Sequence, residues 1–235
     1  FIPLDYDYKD IQGKTTIIIY GKTKEGKRIA ILDSVQEYFY VLTKQPEKLK
    51  KKLNVRTEIV NKKFLEKPVK ALKVYLKSHS QLREISEKIK ILDKTAERKE
   101  IDIHIITRYI IDKDVKPLFW YEVEGEEVSN SLDYPIARIL DTDFVIKAEK
   151  ISQISDKPFS PKILAYDIEA DDFEIGKGNI LMISLVTDNL KKVLTWKKHP
   201  GKNYVEHYKD EAEMIEAFIK YIKQEKPDIL TGYFS

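Results

Sequence analysis

Ile163-Leu164-Ala165-Tyr166-Asp167-Ile168-Glu169 is the stretch on which the reading of this chain turns. Its first four residues are apolar or aromatic with no alternation, the pattern of a strand buried at the centre of a sheet. Its end is different. Residues i and i+2 of a strand face the same side, so Asp167 and Glu169 can converge on one point while the strand holds them rigidly. Paired carboxylates are hard oxygen donors that suit Mg²⁺ or Mn²⁺. Two such ions roughly 4 Å apart can activate a water and stabilise the leaving oxygen of a phosphodiester. The pattern is short, however, and it recurs at Asp172-Phe173-Glu174. A strand end dressed with solvated acids would give the same letters, so spacing alone leaves both readings open.

Working outward, Gly176 and Gly178 mark a turn, Ile180–Val186 reads as a second strand and Lys192–Trp196 as a third. Asp210 and Glu213 form a capping box for a helix with an inner face of Met214, Ile215, Phe218, Ile219 and Ile222. Pro227-Asp228 then leads into a further strand, Ile229–Tyr233. Upstream, Ser155–Pro161 carries two prolines and two serines and is the best boundary candidate. It divides the chain into 1–157, with 116–157 as a connecting β-rich segment, and 158–235.

In the first part, Thr15–Tyr20 and Arg28–Leu32 read as a hairpin. From Glu37 to Leu92 come a strand (Glu37–Leu42), a helix opened by Pro46 (Glu47–Leu53), strands at Thr57–Val60 and Ala71–Leu76, and a second helix. Ser78 is the expected cap of that helix, with Gln81 as its capping-box partner and Leu82, Ile85 and Ile89 on one face. This order is a ferredoxin-like βαββα element, which Ile101–Ile103 or the segment just before it could close. A helix at Ile105–Ile111 and strands at Phe119–Val123 and Phe144–Ala148 follow. The fold class is therefore α+β.

Of the 235 residues, 42% are hydrophobic and 34% charged, with 8 Gly and 9 Pro, which excludes collagen-like and low-complexity chains and argues against global disorder. No apolar run approaches the roughly 18 residues of a membrane-spanning helix, and the first residues lack a signal-peptide pattern. With no cysteine, disulfides, zinc–thiolate sites and thiol nucleophiles drop out, and an intracellular protein is the default expectation. The net charge is +3, yet Lys44–Lys77 holds twelve Lys/Arg against three acids. Such a block fits a polyanion such as nucleic acid, or merely a solvated lysine-rich face.

The stretch Ala165-Tyr166-Asp167-Ile168-Glu169 resembles the first exonuclease motif of family B DNA polymerases. The resemblance continues through Gly176–Ser184, Leu194–Lys197, Glu213–Ile215 and Lys226–Tyr233. Upstream, Leu4–Tyr8, Lys63–Pro68 and Thr107–Lys113 are similar to the N-terminal domain of the archaeal members. The resemblance implies an N-terminal domain followed by an incomplete RNase H-like α/β domain with 3′→5′ proofreading activity. Asp167 and Glu169 would be catalytic metal ligands for Mg²⁺ or Mn²⁺. Its partners would be DNA (single-stranded template and primer 3′ end), the remainder of the polymerase chain and a sliding clamp, and its location nucleoid-associated. Where the family has Thr after the Glu, this chain has Ala170. The next metal-binding Asp would follow Ser235 directly, so the resemblance implies a piece of a longer polymerase, inactive by itself.

The archaeal members also sense template uracil through an N-terminal pocket. The resemblance places Tyr8, Tyr38, Leu82, Ile103 and Arg108 in it, but Glu37, His79 and His104 stand where prolines are usual. Two other functions stay open. One is a non-enzymatic module that binds single-stranded nucleic acid. The other is a compact stand-alone RNase H-like nuclease, which needs a further carboxylate, with Asp228 the obvious candidate.

Overall fold

A computed structural model of the chain describes residues 1–172, 174 and 176–232. Phe173 of the second Asp-x-Glu pattern, Tyr233 at the end of the last expected strand, and Ser235 lie outside the described residues. The chain forms two compact units, Phe1–Phe159 and Ser160–Ser235.

The first unit opens with β1 (Ile2–Ile11), β2 (Lys14–Lys22) and β3 (Arg28–Ser34), paired antiparallel in sequence order. β1 has no counterpart among the expected strands. Asp5 and Asp7 interrupt its apolar pattern, but they alternate with Leu4, Tyr6 and Tyr8, and it is the aspartates that face solvent. In β2, Ile17 and Ile19 pack on one side of the sheet and Ile18 on the other. Burial of both faces explains its unbroken apolar run.

Next come β4 (Tyr38–Leu42), α1 (Pro46–Lys52), β5 (Thr57–Phe64), β6 (Lys67–Tyr75), α2 (Leu82–Leu92) and β7 (Glu97–Lys99). The expected strand–helix–strand–strand–helix order is present. The closing strand is the segment before Ile101. The sheet order is β5-β6-β4-β7 with every neighbouring pair antiparallel. Phe39, Val41, Leu72 and Val74 meet Leu49 of α1 and Ile85 and Ile89 of α2 in one core. The start of α2 differs from the capping box expected there. The Ser78 hydroxyl bonds the Ser80 hydroxyl, and a 3-10 turn, His79–Gln81, precedes the α-helix. The first donors are taken up from outside: His79 N–H bonds Thr15 Oγ1 at 2.7 Å and Ser80 N–H bonds Asp10 Oδ2 at 3.3 Å. Tertiary acceptors have replaced the local cap. Gln81 Oε1 reaches back past Ser78 and accepts from Lys77 N–H at 3.0 Å.

α3 (Ile105–Lys113) covers one face of the first sheet through Ile105 and Tyr109. β8 (Tyr121–Glu127) and β9 (Phe144–Gln153) complete that sheet in the order β1-β2-β3-β9-β8, β9 lying parallel to β3.

The second unit contains β10 (Ile163–Ala170), β11 (Ile180–Val186), β12 (Lys191–Thr195), β13 (Val205–His207), α4 (Glu211–Glu225) and β14 (Ile229–Gly232). Its sheet order is β13-β12-β11-β10-β14; β10, β11 and β12 run antiparallel, and β14 is parallel to β10. The cap at the start of α4 is present, Asp210 Oδ1 accepting from Glu213 N–H at 2.9 Å, but Glu213 Oε2 reaches one residue past the expected box and accepts from Lys209 N–H at 2.8 Å. The stripe of α4 that packs on the sheet, however, is buried Met214 with half-buried Ala217, Phe218 and Tyr221, and Ile219 is exposed. That set follows the i, i+3, i+4, i+7 face, which leaves Ile219 off it. α4 packs on Leu164, Ile183, Leu185 and Leu194. β10 is thus interior in the hydrogen-bonding direction but not apolar-covered on both faces as expected. Ile163, Met182 and Val186, on the face away from α4, are 39–46% exposed.

Candidate functional site

Leu164 is fully buried and Tyr166 meets the Phe218 ring of α4 at 5.6 Å, so these alternate residues of β10 face the helix. Strand alternation then sends Asp167 and Glu169 together to the opposite side. In register they stand across from Ser184 and Met182 of β11. Both are exposed, and among the described residues neither carboxylate has a hydrogen-bonding or ion-pairing partner. The pairing with β11 slips just beyond them: Glu169 faces Met182 but Ala170 faces Ile180, leaving Leu181 as an extra residue. A bulge of this kind increases local twist and re-aims the side chains beside it.

The two Asp-x-Glu patterns are not equivalent. Asp172 Oδ1 accepts from Glu174 N–H at 2.9 Å, and Glu174 Oε2 pairs with Lys177 Nζ at 2.7 Å. Asp171 is also engaged, accepting from Asn179 N–H at 2.6 Å, which holds its carboxyl below the ordinary range. Gly178 makes this turn possible: it has φ +76°, and a Cβ there would lie 2.4 Å from Asp171 Oδ1. No other residue fits. The loop acids serve the turn, and Asp167 and Glu169 are left free for another task.

Asp228 does not join them. It stands at the start of β14, where its carboxylate accepts from Lys162 N–H at 2.8 Å. The register pairs Ile163 with Ile229, which puts Asp228 five residues back along β10 from Asp167, roughly 16 Å at 3.3 Å per residue. The compact stand-alone nuclease therefore loses its third acid. Among the described residues no group of three or more His, Cys, Asp or Glu is arranged to hold a metal. The donor set that remains, two unpaired carboxylates, fits a hard, partly hydrated divalent ion such as Mg²⁺.

In the first unit the five residues of the expected uracil pocket are only partly brought together. The Arg108 guanidinium lies 4.6 Å from the centre of the Tyr38 ring. It also bonds Glu100 Oε2 at 3.0 Å and the Glu100 carbonyl at 2.8 Å. Tyr38 donates to Asp112 Oδ2 at 2.8 Å, and burial followed by this bond pushes its phenol up to about 12. Tyr8 stands edge-on to His79 at 5.1 Å and to His104 at 6.0 Å. His79 in turn bonds Glu37 at 2.8 Å, so the three departures from the family pattern gather around Tyr8. Leu82 packs against the α1–α2 core and Ile103 is half-buried before α3. A cavity of about 360 Å³ lies beside this group, with Glu37, Ile105, Arg108 and Asp112 in its wall. Glu100, the partner of Arg108, carried no local sequence signal, because the pair closes across a loop. His199 accepts from Gly201 N–H at 3.2 Å within its own turn.

Residues 98–233 match the sequence family described as DNA polymerase family B, exonuclease domain. The chain belongs to this family. Among curated relatives, it is 30% identical to a DNA polymerase of Thermococcus gorgonarius and 29% identical to DNA polymerase 1 of Pyrococcus abyssi. Each alignment covers 98% of this chain and 27% of the relative, so the chain spans about a quarter of their length. In fold it is similar to the family B DNA polymerase from the hyperthermophilic archaeon Pyrobaculum calidifontis. That match has a TM-score of 0.71 at 23% identity and covers 99% of this chain and 30% of the other. Among the described residues no helix is long and apolar enough to cross a membrane.

Proposed function

We propose that this chain is the N-terminal domain and the first part of the 3′→5′ exonuclease domain of a replicative DNA polymerase, with Asp167 and Glu169 as two of the metal ligands of its editing site. The observation that carries the reading is the pair of unpartnered carboxylates projecting from an interior strand. The order β12-β11-β10-β14, three antiparallel strands followed by a parallel one, supports an RNase H-like core. Asp167 and Glu169 would hold Mg²⁺ or Mn²⁺, placed by the pairing of β10 with β11 at both residues and with β14 up to Tyr166, just before them. Bound there, the metal would supply an activated water and charge stabilisation at the leaving 3′ oxygen. Ala170 places no hydroxyl beside the pair. β14 runs toward the carboxylate end of β10, reaching Tyr166 at Gly232, the direction in which the family's next acid would be delivered.

The partners in this reading are a single-stranded template, a primer 3′ end, the rest of the polymerase chain and a sliding clamp, in an intracellular, nucleoid-associated setting. Template-uracil sensing draws less support from the residues expected to carry it. Arg108 is already committed to Glu100, and Leu82 packs into the α1–α2 core.

A polypeptide that continues through the rest of the exonuclease domain is expected to shorten a 5′-labelled single strand from its 3′ end, only with Mg²⁺ or Mn²⁺ present. The 235-residue chain alone, with two carboxylates at the site, is expected to trim nothing. Trimming that persists in EDTA, or none by the longer folded polypeptide, contradicts the assignment.

A further inference from the structure

The β11 backbone at the bulge beside Glu169 is held by side chains where a strand ladder stops. On its β10 side the register passes from Glu169–Met182 to Ala170–Ile180 and skips Leu181. On its other side the pairing with β12 ends at Met182–Thr195. Ile180 and Leu181 therefore run past the last register pair with β12, and their polar groups need other partners. Three side chains supply them. Thr195 Oγ1 donates to the Leu181 carbonyl at 2.8 Å, Trp196 Nε1 donates to the Ile180 carbonyl at 2.7 Å, and Glu211 Oε1 accepts from Ile180 N–H at 2.7 Å. Residues opposite one another across a sheet share a face, so Thr195, through Met182, lies on the carboxylate side, yet it is only 4% exposed. Trp196 packs with the α4 core and reaches the bulge from that side. The direction of the Thr195 hydroxyl is fixed, because its oxygen accepts from Lys197 N–H at 3.1 Å and its proton is left for Leu181.

We propose that Thr195 and Trp196 are positioning residues of the editing site: by pinning the two carbonyls of the bulge they fix the aim of Glu169 toward an ion shared with Asp167. The two acids differ in what places them. Asp167 stands opposite Ser184 inside the regular part of the ladder. Glu169 is the last residue before the skip, where the twist depends on which β11 residue is held out as the extra one. With the pins removed, the extra residue can move along β11, and a one-residue change of register turns side chains to the other face. A buried carbonyl stripped of its donor also favours such a rearrangement, since leaving it unpaired is costly. The inference rests on the reading of Asp167 and Glu169 as metal ligands, and adds to that site residues that act on it only through the backbone of β11.

The test is Mg²⁺ titrated into the carbon-13-labelled 235-residue chain, followed by NMR at the side-chain carboxyl carbons of Asp167 and Glu169. In the wild type both signals are expected to move together, with one dissociation constant. Thr195→Val, close in shape but without the hydroxyl, is expected to weaken Mg²⁺ binding about tenfold or more, the range for removing a group that orients a metal ligand, and to leave the Glu169 signal unmoved. Thr195→Ser, which returns the donor, is expected to restore both. Trp196→Phe, which keeps a ring and removes the N–H, is expected to act in the direction of Thr195→Val. Tyr221→Phe deletes a hydroxyl bonded to Glu206 elsewhere in the same unit and is expected to leave Mg²⁺ binding unchanged, which controls for general loosening. Near-ultraviolet circular dichroism checks that each variant is folded. If both signals move in the wild type and folded Thr195→Val and Trp196→Phe bind as tightly, the proposal is overturned and the metal-site reading stands. Equal weakening by Tyr221→Phe overturns it as well. If neither signal moves in the wild type, the metal-site reading itself fails and takes the proposal with it.

Discussion

Alanine at both Asp167 and Glu169 is expected to lower 3′-end hydrolysis by on the order of 10³-fold or more in a polypeptide that carries the complete exonuclease domain. The size of the effect follows from what the pair is placed to do. Removing a single preorganised electrostatic contact at a reacting oxygen commonly costs two to three orders of magnitude. Here the loss would be of metal ligands, and with them of the attacking water as well. Stability is expected to change by no more than about 0.5 kcal/mol, because both side chains are exposed and unpartnered. That combination separates a chemical role from a structural one. A melting temperature that falls with the activity would mean the acids hold the strand and not a metal. Asp167→Asn and Glu169→Gln, which keep shape and remove charge, are expected to match the alanine variant in rate. The expected readout is a time course of labelled-strand shortening beside a thermal melt.

Leu164→Ala is expected to destabilise the second unit by about 2–5 kcal/mol, the range for emptying a fully buried leucine site. Its side chain lies in a small core with Ile183, Leu185, Leu194 and Met214, where few neighbours can close over the void. For a unit the size of Ser160–Ser235, this corresponds to a fall of roughly 10–30 °C in its transition. The transition of Phe1–Phe159, whose cores contain no residue of the second unit, is expected to stay in place. Differential scanning calorimetry reads both. A shift of both transitions by similar amounts would show that the units unfold as one.

The sequence carried more of the local pattern than of the tertiary choices. Asp210 and Glu213 specify the start of α4 with atoms only three residues apart, and the Asp210 cap is present as expected. Ser78 and Gln81 have the same spacing, yet Asp10 and Thr15 arrive from another sheet and take the donors. No local pattern encodes that competition. The strand β1 was hidden because Asp5 and Asp7 suggest a loop, whereas a two-residue period with tyrosines inward was the signal to follow. At the candidate site, strand alternation alone put Asp167 and Glu169 on one side of a strand. The choice against Asp172 and Glu174 was not. It depends on Lys177 and on how the turn closes through Gly178. The distance that separates Asp228 from the pair likewise depends on β14 lying parallel to β10, a register that only the folded sheet fixes.

Crystals of the chain soaked in MnCl₂ and measured at the manganese absorption edge put the metal question to the site itself. An anomalous peak within about 2.2 Å of carboxylate oxygens from both Asp167 and Glu169 is the predicted result. Manganese held instead by Asp171, Asp172 or Asp228, with Asp167 and Glu169 turned away from each other, would contradict it.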